Sequence, residues 1–217
     1  MFRSPLPGLS RLSTLAGFVR PAFATLALLA ASASHADYFW IDRDAGLTRI
    51  QAGELGKPQA TLPAVQGARA FQAGNKPVTL DATAAQYTAQ PAEGDLRFTA
   101  SRAEERVLTV FHARFGRQET TAASELELVP TRPGGNTFRL YWKGSAVNAS
   151  QVNVQTSEGW SRVLRPGADG TVSFDPVFPA LYVLEVSARV NGAAVVDGKK
   201  YEEVRHVATL AFRVEGR

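Results

Sequence analysis

The residues best suited to proton transfer or metal ligation in the body of this chain are His112 and His206, and a third histidine, His35, stands near its start. A neutral imidazole is a common metal ligand and the side chain that titrates closest to neutral pH. His112 sits in Val107-Leu108-Thr109-Val110-Phe111-His112, on one strand face with Leu108 and Val110. His206 shares its face with Ala208, Leu210 and Phe212. Both suit the edge of an apolar core with one hydrogen-bond partner, and both are candidate nitrogen ligands. His35 depends on processing. Cleavage after Ala36 discards it, cleavage after Ala33 leaves Ser34-His35 leading the chain, and cleavage after Ser34 makes His35 the terminus itself. A terminal amine beside an imidazole is a good nitrogen pair for nickel or copper.

Other chemistry has little to stand on. The chain has no cysteine and no Gly-x-Ser-x-Gly elbow, so no nucleophile comes with a partner to activate it. Pro133-Gly134-Gly135 lacks the helix that a phosphate-cradling loop must precede. Glu104-Glu105 and Glu202-Glu203 are adjacent in sequence, and neighbours on a strand point to opposite faces. Neither pair converges on one substrate; solvated surface charge is the expectation. Asn148-Ala149-Ser150 reads as a turn. The chain is therefore read as non-enzymatic. Tyr38-Phe39-Trp40 is an aromatic cluster at strand spacing, expected as core with a packed rim, and Tyr38 and Trp40 are also candidates for a binding surface. Trp160 follows the turn Glu158-Gly159 and is a third such candidate.

The elements that position these residues begin after residue 36. Arg3, Arg11 and Arg20 with no acidic residue, an apolar run of about ten residues from Ala22 to Ala31, and the small residues from Ala31 to Ala36 form the three parts of a secretory signal. The run is about half of what a membrane-spanning helix needs. The expectation is an exported, periplasmic protein. Removing 1–36 takes three of 24 basic residues and leaves 21 against 20 acidic ones. A chain so nearly neutral offers no basic patch for nucleic acid, and without cysteine it holds no disulfide or thiolate metal site.

The remainder reads as all-β. Phe138-Arg139-Leu140-Tyr141-Trp142-Lys143 alternates strictly, as does the run from Tyr182 to Val190, and Val204, His206, Ala208, Leu210 and Phe212 line one face of the last strand. Pro133-Gly134-Gly135-Asn136, Ser157-Glu158-Gly159, Pro166-Gly167-Ala168-Asp169-Gly170 and Asp197-Gly198 supply turns. Earlier strands are expected over 38–42, 47–51, 68–72, 78–80, 86–89, 96–100 and 106–115. The polar stretch 116–123 reads as a linker. The expected organisation is a signal at 1–36, an N-terminal β domain at 37–122 and a C-terminal β-sandwich at 123–217, both domains immunoglobulin-like or transthyretin-like.

Four places carry a family resemblance. They are His35-Ala36-Asp37-Tyr38-Phe39-Trp40-Ile41, the stretch 62–77 ending in Gly74-Asn75-Lys76-Pro77, the opening Leu126-Glu127-Leu128-Val129-Pro130, and an ending built from Asp169-Gly170, Pro179-Ala180-Leu181-Tyr182 and Ala208-Thr209-Leu210. Together they resemble a periplasmic family, a domain of unknown function linked to nickel and cobalt uptake, which includes accessory components of energy-coupling-factor nickel transporters. Ala180 stands where that pattern has glycine, and the histidine-rich stretches of some relatives are missing. The resemblance implies a non-enzymatic accessory or binding protein for nickel or cobalt, a membrane metal transporter as partner, and His35 as the residue matching a proposed ligand. Two other readings remain beside it: a structural or interaction module of the cell envelope, and a binder of small molecules or glycans through Tyr38, Trp40 or Trp160.

Overall fold

The computed structural model describes residues 26–27, 37–90, 93–190 and 192–216. Twenty strands and one 3-10 turn, Ala73–Asn75, make up its regular structure. Up to the polar stretch they are β1 (Leu26–Ala27), β2 (Tyr38–Asp44), β3 (Leu47–Glu54), β4 (Lys57–Pro58), β5 (Gln66–Gln72), β6 (Lys76–Val78), β7 (Leu80–Ala82), β8 (Tyr87–Ala89), β9 (Leu96–Glu104) and β10 (Val107–Phe115). After it come β11 (Leu126–Pro130), β12 (Thr137–Trp142), β13 (Ser145–Val147), β14 (Val152–Thr156), β15 (Ser161–Leu164) and β16 (Thr171–Ser173). The last four are β17 (Ala180–Val190), β18 (Ala194–Val196), β19 (Lys199–Tyr201) and β20 (Glu203–Val214). The all-β expectation holds. The strand expected at 78–80 instead breaks at Thr79, which separates β6 from β7. The expected signal falls outside the described residues, apart from Leu26–Ala27, whose backbone pairs antiparallel with Arg189 and Val190 of β17.

A long sheet runs in the order β15-β14-β17-β20-β10-β9-β5-β6. Its centre is a parallel pairing of β10 with β20, in register from Val107 opposite Glu203 to Phe115 opposite Ala211. The boundary expected near Ala122 lies in the connection between β10 and β11, and the long sheet continues across it through this pairing. Two smaller sheets cover its faces, β11-β12-β13 with β16 on one side and β2-β3-β8-β7 with β4 on the other.

Each cover closes its own core against the same pair of strands. Tyr182, Leu184, Val186, Ala208, Leu210 and Phe212 pack with Leu126, Leu128, Phe138 and Leu140. Leu181, Val183, Val207 and Ala211 point the other way and pack with Phe39, Ile41, Ile50 and Phe98. Two-sided burial explains why β20 is buried without interruption from His206 to Phe212. On the β2 side the residues are small, and Thr209 Oγ1 donates to the Phe39 carbonyl at 2.7 Å across the layers.

Candidate functional site

His112 and His206 lie on the two parallel strands, with Val110 opposite His206 and His112 opposite Ala208. That offset brings the rings together on the β11-β12-β13 side of the sheet. His112 Nε2 and His206 Nδ1 are 3.1 Å apart. The rings are within 3° of parallel with centroids 5.4 Å apart, so the facing nitrogens lie close to the line joining the ring centres. This is a head-on hydrogen bond. Both side chains are buried, at 5% and 3% exposure. Trp142 meets the His206 ring edge-on at 4.6 Å, and Glu125 Oε2 stands 3.9 Å from His206 Nδ1. Burial, helped by His206 and Arg69, pushes His112 down to about 3. Burial, helped by Lys143, takes His206 down to about 4. Both rings are neutral at pH 7, and the Glu125 contact is no ion pair there.

The candidate metal role of these two histidines does not fit this geometry. A transition metal sits about 2.0–2.1 Å from each imidazole nitrogen, so nitrogens aimed at each other need about 4 Å between them to hold one. Here the two nitrogens are 3.1 Å apart, the separation of a direct hydrogen bond. Among the described residues no group of three or more His, Cys, Asp or Glu side chains converges to hold an ion. His35 lies outside the described residues.

Two residues further along β10 the same face turns ionic. Arg97 of β9 donates from Nε to Glu127 Oε1 at 2.8 Å and from Nη1 to Glu119 Oε2 at 2.6 Å. Arg114 donates from Nη1 to the same Glu127 oxygen at 2.8 Å and from Nη2 to Asp95 Oδ2 at 2.6 Å. Asp95 also accepts the backbone N–H groups of Gln118 and Glu119, and Glu127 Oε2 those of Ala123 and Ser124. Burial lowers the Arg97 guanidinium, but Glu127 and Glu119 outweigh it and hold Arg97 above arginine's ordinary value. The polar stretch read as a linker is therefore fastened to β9 by the Arg97–Glu119 ion pair and to β10 by Arg114, which donates to the Glu119 carbonyl. Gly116 belongs to this arrangement: its φ is +107°, and a Cβ there would run into the Asp95 carboxylate. Alternation along Leu96-Arg97-Phe98 marks Arg97 as outward-facing, and nothing in the sequence says that a loop covers that face.

The aromatic opening is core. Tyr38 and Trp40 are 3% and 2% exposed, so the binding surface expected of them is not there. Their faces are taken up by the β2 cover layer, with the two rings edge-on at 5.7 Å. Tyr38 Oη donates to Gln155 Oε1 at 2.9 Å and accepts the Leu55 N–H at 2.8 Å. Burial pushes its phenol up to about 12. Trp160 is half-buried and packs edge-on against Phe178. The adjacent glutamates lie beside arginines at the surface, Glu104 with Arg102, Glu202 with Arg106, and Glu203 with Arg189 and Arg205. A polar cleft of about 280 Å³ lies between Arg132, Asn136, Ser173 and Asp175. Scanned against protein-family models the chain matches none, and a search of curated proteins finds no similar one.

Proposed function

We propose that this chain is an exported, periplasmic, non-enzymatic accessory protein for nickel or cobalt uptake, with the metal taken at the leading end and delivered to a membrane transporter. In this reading each half of the chain is an immunoglobulin-like or transthyretin-like sandwich. The family resemblance carries the metal, and one observation supports its place. Strand β2 is anchored from its first residues, by Gln59 Nε2 donating to Asp37 Oδ2 at 2.8 Å and by both hydrogen bonds of the Tyr38 hydroxyl. The carboxylates of Glu185 and Glu54 act on that hydroxyl. Any residue retained just before Asp37 starts from a fixed point near oxygen ligands, within a reach of about 3.5 Å per residue. His35 with a free terminal amine would supply the nitrogens. Intact-mass measurement of the exported form and calorimetric titration with nickel test this. A terminus at Ser34 or His35, with binding heat lost in His35→Ala, is the expected result. A terminus at Asp37 with no heat ends the metal reading.

The second reading, an interaction module of the cell envelope, has its own supporting observation. Strand β14 pairs with β17 only through Tyr182–Glu185, so among the described residues the edge from Val186 onward is open apart from the short β1. An open edge can accept a partner's strand. Specific co-purification of an envelope protein that is lost on Ala188→Pro is the expected result, and pull-downs retaining only contaminants remove this reading.

A further inference from the structure

The turn Pro133-Gly134-Gly135-Asn136 has no helix to make it a phosphate loop, yet it lines the polar cleft of about 280 Å³. Arg132, Gly135 and Asn136 face the cleft from the β11–β12 connection, Thr137 and Ser173 from paired positions on β12 and β16, and Asp175 from the segment after β16. These parts are tied together through the backbone. The Gly134 N–H donates to the Arg117 carbonyl at 2.7 Å, the Gly135 N–H to the Arg132 carbonyl at 3.0 Å, and the Phe174 N–H to the Asn136 carbonyl at 3.3 Å. A Cβ at Gly135 would stand 2.8 Å from Arg132 Cγ, so the missing side chain is what lets the Arg132 stem lie across the turn.

The polar groups of the cleft are of both kinds. Arg117, its guanidinium 3.9 Å from the centre of the Phe212 ring, donates to Asn136 Oδ1. A guanidinium can only donate, so Oδ1 faces Arg117 and Asn136 Nδ2 is turned away from it, without a partner among the described residues. Thr137 Oγ1 and Ser173 Oγ are 2.9 Å apart, which uses one O–H and leaves the other free. The Arg132 guanidinium and the Asp175 carboxylate share the cleft, and among the described residues neither is in an ion pair. A simple anion there meets Asp175, and a simple cation meets Arg132. A neutral ligand takes water from both charges and returns no opposite charge. Phe174 is 6% exposed and offers no ring face for a sugar to stack on. We propose that this cleft binds a small zwitterion, a free α-amino acid, with its carboxylate on Arg132 and Asn136 Nδ2 and its ammonium on Asp175 and the Ser173 oxygen. Charge-assisted hydrogen bonds are roughly twice as strong as neutral ones, and both ends of the ligand make them. The volume lies just below the ~300–1,000 Å³ of small-molecule sites, which suits a single amino acid with a short polar side chain. The site is independent of the metal and envelope readings.

Backbone amide shifts of the purified protein test this. Glycine, L-serine and L-glutamine are titrated at constant ionic strength, beside acetate, methylammonium and glucose. The expected result is saturable shifts at Gly134, Gly135, Asn136, Ser173 and Asp175 with at least one of the amino acids, and weaker or no binding of the other three probes. Arg132→Ala and Asp175→Asn should each weaken that binding about tenfold, the loss of one hydrogen bond to a charged group. Both side chains are exposed, so an unchanged thermal unfolding midpoint shows that the variants remain folded. Asp175→Asn should also hold the amino acid no more tightly than acetate. Absence of saturable shifts with all three amino acids, acetate, methylammonium or glucose binding as tightly as they do, or binding that survives both substitutions overturns the proposal.

Discussion

His112 and Arg114 are two residues apart on one face of β10, yet they lie in opposite kinds of buried polar environment. Around Arg114 and Arg97 the charges are matched, with Asp95, Glu119 and Glu127 accepting from both guanidiniums and from the loop backbone. The His112–His206 pair itself is uncharged at pH 7, with Arg69 and Lys143 only lowering its affinity for protons, and one ring nitrogen has no partner. Removing charge from water costs several kcal/mol per ion, so an ion network endures only when nearly every donor and acceptor is used. A neutral pair costs less to bury and can be left half satisfied. Each region leaves one buried nitrogen without a partner, Arg114 Nε in the first and His112 Nδ1 in the second, so the difference lies in charge: the first holds matched charges at neutral pH, and the second is neutral there and gains charge only in acid.

The largest test of that contrast is Glu127→Ala. It strips the shared acceptor from Arg97 and Arg114, both nearly unexposed, and should cost about 3–5 kcal/mol in urea unfolding. A loss below about 1 kcal/mol would mean that the network is no better bound than a surface pair.

The histidine region should answer to pH instead. Both rings have folded values below the unfolded value of about 6.5, so the unfolded chain binds more protons in acid and stability falls as pH falls. The loss should begin near pH 6.5 and continue toward about 4 and about 3, the folded values of His206 and His112. Each histidine is worth about 1–2 kcal/mol between pH 7 and 5. Unfolding measured at pH 7, 6 and 5 checks this, and His206→Gln should flatten the slope by about half. An unchanged slope in that variant would place the titration elsewhere.

Smaller effects calibrate the ends of the scale. Tyr38→Phe removes two hydrogen bonds, and the partly buried Leu55 N–H loses its acceptor, for about 1–2 kcal/mol. Arg106→Ala breaks an ion pair in which both side chains are more than half exposed. It should change stability by no more than about 0.5 kcal/mol, and thermal unfolding in low and high salt would show it.

How much of this was legible beforehand varied with the kind of residue. Phe138, Leu140, Leu184 and Val186 alternate in sequence and are buried as alternation requires. The run Val207-Ala208-Thr209-Leu210-Ala211-Phe212 carried a subtler mark, small or apolar residues at both parities, which signals a strand covered on two sides. The ion network left no mark. Arg97 looks outward-facing until residues 116–127 fold over it. The histidine pair was equally hidden, because 94 residues separate its members and only the parallel register of β10 and β20 brings them to 3.1 Å.

By itself, then, the sequence determined the strand content, the turns, the absence of disulfides and the aromatic weight of the opening strand, all of which depend on local periodicity and residue type. Tertiary structure alone decided that β10 pairs with β20, that one sheet serves two cores, that Tyr38 and Trp40 are enclosed, and which buried polar groups meet. Those outcomes depend on contacts between distant segments, where the cost of desolvating a charge or an imidazole is fixed by neighbours that no local pattern names.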